Sequence, residues 1–178
     1  MKKLFLLLTA GVFLSLQACK ESSGGLSATA KKNIAASDAI ANCFKTKDFS
    51  KIGDYIAEDC VDHGGENGDI KGLENMKAEF TRMAASYSEM SSEKIKELAD
   101  DEYVMSWMKY TGKLSKDMMG KKAGETFVST SMEVSRFKDG KAVEHWVFME
   151  PSEMMKMMQG QQPPAMDEKP MADSTKAQ

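Results

Sequence analysis

The chain has 178 residues, with 24 Lys and Arg against 27 Asp and Glu, a formal net charge of −3. This length favours one domain with short flanking segments, and a slightly acidic chain lacks the basic surface that nucleic-acid binding requires. Only two His and three Cys are present. They are too few for a Cys/His zinc cluster at the usual spacings, and we predict neither a metal site nor a cofactor.

The N-terminal sequence has the pattern of an export signal. Lys2 and Lys3 precede an apolar run at residues 4–16 that is too short to span a membrane. Residues 16–19, Leu-Gln-Ala-Cys, resemble the lipobox of bacterial lipoproteins, in which the Cys is lipidated after cleavage; the alternative is an ordinary secretory peptide. The resemblance implies a signal peptide over residues 1–18 and a lipidated tether over residues 19–27. The protein would then be held in the cell envelope, outside the cytoplasm, by a membrane anchor at Cys19.

Helical patterns dominate the first half of the mature chain. An Ala-rich stripe at residues 28–44 predicts a helix, and Asp48 is placed to cap a short second one. A short strand at residues 60–63 ends in His63. Apolar residues spaced three or four apart from Leu73 to Tyr87 then predict an amphipathic helix.

Strands dominate the second half. Residues 103–111 and 126–137 are rich in β-branched and aromatic residues, and an Asp139-Gly140 turn predicts a hairpin to a last strand ending at Glu150. Residues 91–99 are ambiguous, because their propensity is helical while their position favours a strand. Residues 151–158 predict a final helical turn or two, and residues 161–178 a disordered tail. Helices ahead of a run of strands indicate an α+β architecture.

Three segments carry a family resemblance: residues 55–63 (Tyr-Ile-Ala-Glu-Asp-Cys-Val-Asp-His), 72–74 (Gly-Leu-Glu) and 136–146 (Arg-Phe-Lys-Asp-Gly-Lys-Ala-Val-Glu-His-Trp). Residues 28–160 resemble the SnoaL-like polyketide cyclases of the NTF2-like superfamily, which end their sheet with a Phe-x-Asp-Gly-Lys turn and a Glu-His-Trp strand. The resemblance implies an α+β cone, a curved antiparallel sheet with helices packed on its concave side around a pocket. Members often dimerise through the outer face of the sheet, which implies a possible homodimer.

The resemblance also implies candidate catalytic residues. Cyclases of this family use an acidic residue four positions after the Trp as acid/base in an aldol ring closure, and that position here is Glu150. His63, beside Asp62, is a candidate to assist, although a His at a strand end is often only a surface residue. Residues 112–114, Gly-Lys-Leu, replace the family's Gly-Thr-His, and residues 120–122, Gly-Lys-Lys, replace part of its Pro-Thr-Gly-Lys. Both departures favour binding over catalysis.

Strand alternation divides the last strand into two faces. Trp146, Phe148 and Glu150 share one face, which we expect to line the pocket, while His145 is expected on the outside, at a dimer interface. Trp107 is a further candidate for the pocket wall. Core packing for Trp107, and a helix cap or an ion pair with Lys for Glu150, are the structural alternatives.

Sulfur-containing residues suggest two further interpretations. Cys43 and Cys60 are expected to be free and buried, because the helix between them separates them beyond disulfide reach. Six methionines present thioethers that suit Cu(I), but an apolar lining of the pocket mouth explains them better. They are Met118, Met119, Met154, Met155, Met157 and Met158.

Three functions remain open from the sequence. The first is a lipoprotein that binds a small apolar molecule in the cone. The second is a cyclase- or isomerase-type enzyme with Glu150 as general acid/base and His63 assisting. The third is an interaction module that docks through the face of the sheet.

Overall fold

The computed structural model describes residues 25–65, 68–118 and 120–159. The expected signal peptide, Cys19, most of the tether and the tail at 161–178 lie outside these residues. In chain order the elements are α1 (Ala28–Thr46), a 3₁₀ turn (Ile52–Asp54), β1 (Ile56–Asp62), β2 (Ile70–Lys71), α2 (Leu73–Ala85), β3 (Tyr87–Ala99), β4 (Tyr103–Leu114), β5 (Thr126–Lys138), β6 (Lys141–Met149) and α3 (Pro151–Gln159).

The described strands form one curved, open sheet in the order β2-β1-β6-β5-β4-β3. β1 runs parallel to β6, and the other neighbouring strands are antiparallel. Helix α1 packs across β3, β4 and β6, and α2 packs against β1, β2 and β3. The predicted α+β cone, with helices on the concave side of the sheet, is therefore confirmed. Below, the inner face of the sheet is the side turned toward these helices and the outer face is the opposite side.

Helix α1 begins and ends where its local sequence dictates. The Ser27 side chain accepts a hydrogen bond from the N–H of Ala30 at 2.9 Å, which satisfies a donor left free at the helix start. The helix ends at Lys47, whose φ of 56° is left-handed and turns its N–H back to the last carbonyls. Ala30, Asn33 and Ala36 recur at every third position and are buried. Small residues on this stripe let the helix lie close to the sheet.

The hairpin between β5 and β6 forms at Asp139 and Gly140, as predicted. Both residues have positive φ, 56° and 83°, which is the geometry of the tight two-residue turn that follows the right-handed twist of paired strands. Lys32 of α1 donates to the carbonyl of Asp139 at 3.0 Å. The hairpin is thereby tied to the helix layer.

Two segments differ from the sequence expectation in their bounds or type. The ambiguous residues 91–99 belong to a 13-residue strand, β3, because hydrogen bonding along β4 outweighs their weak helical preference. The first strand starts at Ile56, four residues earlier than predicted. The apolar residues that predicted a short helix there are divided between the 3₁₀ turn and β1. Just before β1, the Tyr55 carbonyl accepts from the N–H of Ala142 at 2.8 Å.

Apolar packing holds the helices on the sheet. The larger cluster includes Phe49, Ile52, Ile56, Phe80 and Phe137, and a smaller one joins β3, β4 and β5. Both described cysteines belong to the larger cluster and are free and buried, as predicted. Burial, with the nearby charges of Asp59 and Asp62, raises the pKa of Cys60 to about 11. The thiol is therefore un-ionised at neutral pH and acts as a core side chain.

Candidate functional site

A cavity of about 1090 Å³ lies between the helices and the inner face of the sheet. Its lining is mostly apolar and includes Ile40, Phe80, Met83, Met90, Met108 and Val147. Methionine side chains are flexible and polarisable, so these walls can adapt to ligands of different shapes. A space of this kind is suited to a small organic molecule.

The inner face of β5 is polar where a packed core would be apolar. Ser129, Ser131, Glu133 and Ser135 occupy four successive inward positions and all line the cavity. Both ends of this row are closed by buried phenylalanines, Phe127 and Phe137. A polar row inside an apolar frame places hydrogen-bonding groups at the cavity, and a ligand there can use them.

Glu133 is the centre of one polar group. The Tyr110 hydroxyl on β4 donates a short hydrogen bond to Glu133 Oε1, and the Ser131 hydroxyl reaches the same oxygen at 3.4 Å. Burial raises the pKa of Tyr110 far above its usual value, and the Glu133 charge raises it further. The phenol therefore keeps its proton and acts as a donor to the carboxylate.

Asp62 and His145 form a second polar group in the cavity lining. The two residues are direct partners in the parallel β1–β6 pairing, and His145 Nδ1 lies 3.3 Å from Asp62 Oδ2. The other Asp62 oxygen accepts the N–H of Gly64 at 2.7 Å. The carboxylate thus holds the imidazole in one orientation with Nδ1 toward itself.

The electrostatics of this pair favour its ionised form. Burial alone would lower the pKa of His145, but the hydrogen bond and charge of Asp62 and the charge of Glu133 outweigh it, and the pKa is raised. Burial alone would raise the pKa of Asp62, but the hydrogen bond and charge of His145 and the Gly64 N–H lower it. Each partner therefore stabilises the charged state of the other.

A third polar group lies on β3. Lys94, which also lines the cavity, contacts Asp38 of α1 at 2.6 Å and Glu97 at 2.5 Å. Ser106 donates to the same Glu97 carboxylate at 3.2 Å. The ammonium group is thus engaged by two carboxylates.

The face expected to line the cavity is reversed in the structure. His145, Val147 and Met149 line the cavity, so alternation places Trp146 and Phe148 on the outer face, where Phe148 is 56% exposed. Trp107 is also on the outer face and is 42% exposed. The assignment of these three aromatic residues to the pocket was wrong, because each face of β6 carries both apolar and polar side chains and the pattern does not identify the inner one.

The two predicted catalytic residues also lie away from the cavity lining. Glu150 is exposed, and its carbonyl accepts the N–H groups of Glu153 and Met154 at the start of α3. His63 stacks on Trp146, with ring centroids 4.9 Å apart, and its Nδ1 lies 3.0 Å from Asp69 Oδ1. Their catalytic roles remain predictions, without support from the geometry of the cavity.

The methionine set is dispersed. Met118 lines the cavity, whereas Met154 and Met155 are exposed on α3. Met119 and the side chains of Met157 and Met158 lie outside what the structure describes.

In the described ranges, no three His, Cys, Asp or Glu side chains are grouped so that they could hold a metal ion. No helix within those ranges is long and apolar enough to cross a membrane.

The residues that the sequence interpretation missed are Asp62, Tyr110 and Glu133, and it put His145 on the wrong face. One signal was available, since residues 129, 131, 133 and 135 are polar at every second position of a strand whose other inward positions are Phe. The Asp62–His145 contact had no such signal. It depends on the pairing of β1 with β6, which brings together two residues 83 positions apart in the chain.

Three solved structures illustrate the proteins that share this fold. A SnoaL-like polyketide cyclase from Agrobacterium tumefaciens superposes with a TM-score of 0.61 at 10% identity, covering 71% of this chain and 97% of its own. TsrD from Streptomyces laurentii superposes with a TM-score of 0.63 at 14% identity, covering 76% of this chain and 99% of its own. An LEH-like epoxide hydrolase of M. tuberculosis superposes with a TM-score of 0.59 at 15% identity, covering 74% of this chain and 88% of its own. At these identities the likeness shows the fold alone.

The sequence comparison is more specific. No curated protein sequence matches this chain. The family model of the SnoaL-like polyketide cyclases, however, matches residues 34–158, well over half of the chain. With the cone, the inner cavity and the hairpin at Asp139-Gly140 in place, this chain belongs to the SnoaL-like polyketide cyclase family.

Proposed function

We propose that the domain binds a small, mostly apolar molecule in the cavity between helices and sheet. The observation that carries the proposal is the cavity itself, about 1090 Å³ with mostly apolar walls and a few inward polar groups. Small-molecule sites usually enclose about 300–1,000 Å³ and combine these same features. A ligand of ordinary drug size fits this space.

Filling the cavity tests the proposal. Ser129→Phe adds a large side chain to the cavity lining, whereas Val128→Phe adds a ring at the neighbouring position, which is 66% exposed on the outer face. Native mass spectrometry of the chain from residue 20 onward should detect a ligand that is retained through purification. If none is retained, the chain should bind N-phenyl-1-naphthylamine, a neutral apolar dye. We expect Ser129→Phe to reduce dye binding at least tenfold and Val128→Phe to leave it unchanged. Equal effects of the two changes would argue against the cavity as the binding site.

The same proposal includes an envelope location with a lipid anchor at Cys19. It is supported by the basic residues, the apolar run and the Leu-Gln-Ala-Cys sequence that precede the domain. Cys19→Ala should abolish incorporation of labelled palmitate in bacteria and release the protein from the membrane fraction. Membrane association that survives this change would point to a different anchor.

An acid/base enzyme of the cyclase or isomerase type is the second candidate function, favoured by the Asp62–His145 pair in the cavity lining. Asp62 engages Nδ1, and no other described residue is seen to hydrogen-bond the imidazole, so its other nitrogen can accept a proton from a ligand or donate one to it. His145 is therefore a better candidate acid/base than Glu150. For any molecule found to be turned over, His145→Gln should lower kcat by about 10²-fold or more. Glu150→Gln should leave kcat unchanged. If instead Glu150→Gln lowers kcat and His145→Gln does not, Glu150 is the acid/base.

Docking through the outer face is a third candidate, with a homodimer as the simplest case. Trp107, Met132 and Phe148 are cross-strand neighbours on β4, β5 and β6 and form an exposed apolar row. Contiguous apolar surface of this kind marks interaction sites in soluble proteins.

A further inference from the structure

The charges inside the cavity are not balanced. The Asp62–His145 pair is neutral overall when both partners are ionised. Among the described residues, Glu133 accepts only from the hydroxyls of Tyr110 and Ser131, and no Lys or Arg pairs with it. Glu133 therefore places a negative charge in a mostly apolar space: its hydrogen-bond donors are neutral hydroxyls, and the nearby positive charge of His145 is already paired with Asp62.

The Glu133 carboxylate also has unused hydrogen-bonding capacity. Both hydroxyl donors reach Oε1, and no donor among the described residues reaches Oε2. A carboxylate offers about four acceptor sites. Leaving a partly buried charge without a full set of donors costs free energy, which a ligand that supplies a donor or a positive charge recovers.

The lysine of β3 that lines the cavity does not offset this charge. Lys94 is held between Asp38 and Glu97, two carboxylates for one ammonium. The β3 end of the inner face therefore adds a second negative excess to that of Glu133. An anionic ligand group is repelled from both places.

We propose that the cavity selects a small apolar molecule whose polar end is a protonated amine, that this amine binds Glu133, and that the corresponding carboxylates are rejected. The inference rests on the proposed function, because it names the chemical class of the ligand that the cavity binds. Tyr110 and Ser131 hold the Glu133 carboxylate in place, and the apolar walls hold the hydrocarbon part of the ligand.

The mouth of the cavity has the opposite polarity. Lys45, Lys116 and Lys121 belong to the lining and are exposed. Exposed charges are screened at physiological salt over roughly 8 Å, whereas enclosed charges are screened much less. Selectivity measured near 0.15 M salt therefore reports the enclosed end of the cavity, and a carboxylate attracted only to the mouth loses affinity as salt rises.

Three probes with one ring system separate the possibilities. Calorimetry near neutral pH and 0.15 M salt measures the affinity of the chain from residue 20 onward for 1-naphthylmethylamine, 1-naphthylmethanol and 1-naphthoate. We expect the amine to bind at least tenfold more tightly than the carboxylate, a difference of about 1.4 kcal/mol, with the alcohol between them. Equal or tighter binding of the carboxylate overturns the inference.

Glu133→Gln supplies the residue-specific test. Gln keeps the size and the carbonyl acceptor for Tyr110 and Ser131 but removes the charge, so the preference for the amine should fall about tenfold while the alcohol binds as before. Glu150→Gln, the same change outside the cavity, should leave the preference unaltered. A preference that survives Glu133→Gln removes Glu133 as the docking point and with it the inference.

The outcomes also distinguish this inference from the proposed function. If none of the three probes and no neutral dye binds, the proposed function fails and the inference fails with it. If all three probes bind alike, the cavity binds apolar molecules and only the amine preference is overturned. The order of the three affinities for the unaltered protein decides the inference even if Glu133→Gln does not fold.

Discussion

The two faces of the same strands have opposite characters in this protein. The inner face of β5 presents Ser129, Ser131 and Glu133 to an enclosed cavity, while the outer face exposes Trp107 and Phe148. A sheet that simply covers a core would place the aromatic residues inside and the polar residues outside. The proposed ligand site on the inner face and the proposed docking surface on the outer face both rest on this reversal.

The largest expected difference between the faces is in stability. Phe137 is 3% exposed in the main core, whereas Phe148 is 56% exposed on the outer face. We expect Phe137→Ala to lower the free energy of unfolding by about 3–5 kcal/mol. Phe148→Ala should lower it by about 0.5 kcal/mol, as is usual for exposed positions. Urea unfolding of both variants measures the difference, and similar losses would mean that the faces are wrongly assigned.

The buried ion pair on the inner face should give a pH-dependent contribution to stability. The raised pKa of His145 contributes stability below its usual value of 6.5, and this is lost as pH rises through the raised pKa. The lowered pKa of Asp62 contributes stability above its usual value of 3.8, and this stability is lost as pH falls through the lowered pKa. The pair therefore stabilises most between about pH 4 and pH 6.5.

Comparison of the unaltered protein with His145→Gln measures this contribution. We expect the difference in unfolding free energy to be about 1–3 kcal/mol near pH 5–6 and to shrink toward both pH 3 and pH 9. Thermal or urea unfolding across that range provides the curve. A difference that does not vary with pH would show that the two side chains do not titrate as a pair.

Self-association should depend on the outer face alone. If a homodimer forms there, Phe148→Glu places a charge in the centre of the apolar row and should weaken association at least about tenfold. Ala35→Glu, an exposed position on α1, is the control and should have no effect. Sedimentation over a range of concentrations measures both variants. A monomer at all concentrations, or equal weakening by the two changes, would remove the outer face as a dimer surface.

The smallest effect is expected from an ion pair on the outer face. Arg136 and Glu144 are cross-strand neighbours with Nη2 and Oε1 2.9 Å apart, and the pairing raises the pKa of Arg136 and lowers that of Glu144. The two side chains are 28% and 30% exposed, and ion pairs that solvent reaches are screened by salt and stabilise little. Glu144→Gln should therefore cost less stability than His145→Gln, and its effect should disappear near 1 M salt. An effect that persists there would mean that this pair is shielded from solvent.

The sequence supported the architecture more firmly than the site. Asp139-Gly140 specified its own turn, because few residues other than Gly accept the backbone angles required at position 140. The helix over Ala28–Thr46 followed from its apolar spacing. In contrast, the residues that face the cavity were placed on the wrong side of the sheet, and the candidates Glu150 and His63 were chosen by family position rather than by location.

Local sequence alone therefore determined the two long helices, the last three strands, the hairpin and the family, since these depend on backbone preferences and side-chain periods within short segments. Only the tertiary structure decided which face of each strand turns inward. A period of two defines two faces without saying which is inner, and in β6 the sets Trp146/Phe148 and Val147/Met149 are both apolar. The packing of α1 and α2 on the sheet settled the question, because the cavity between them and the sheet is lined by Asp62 and His145.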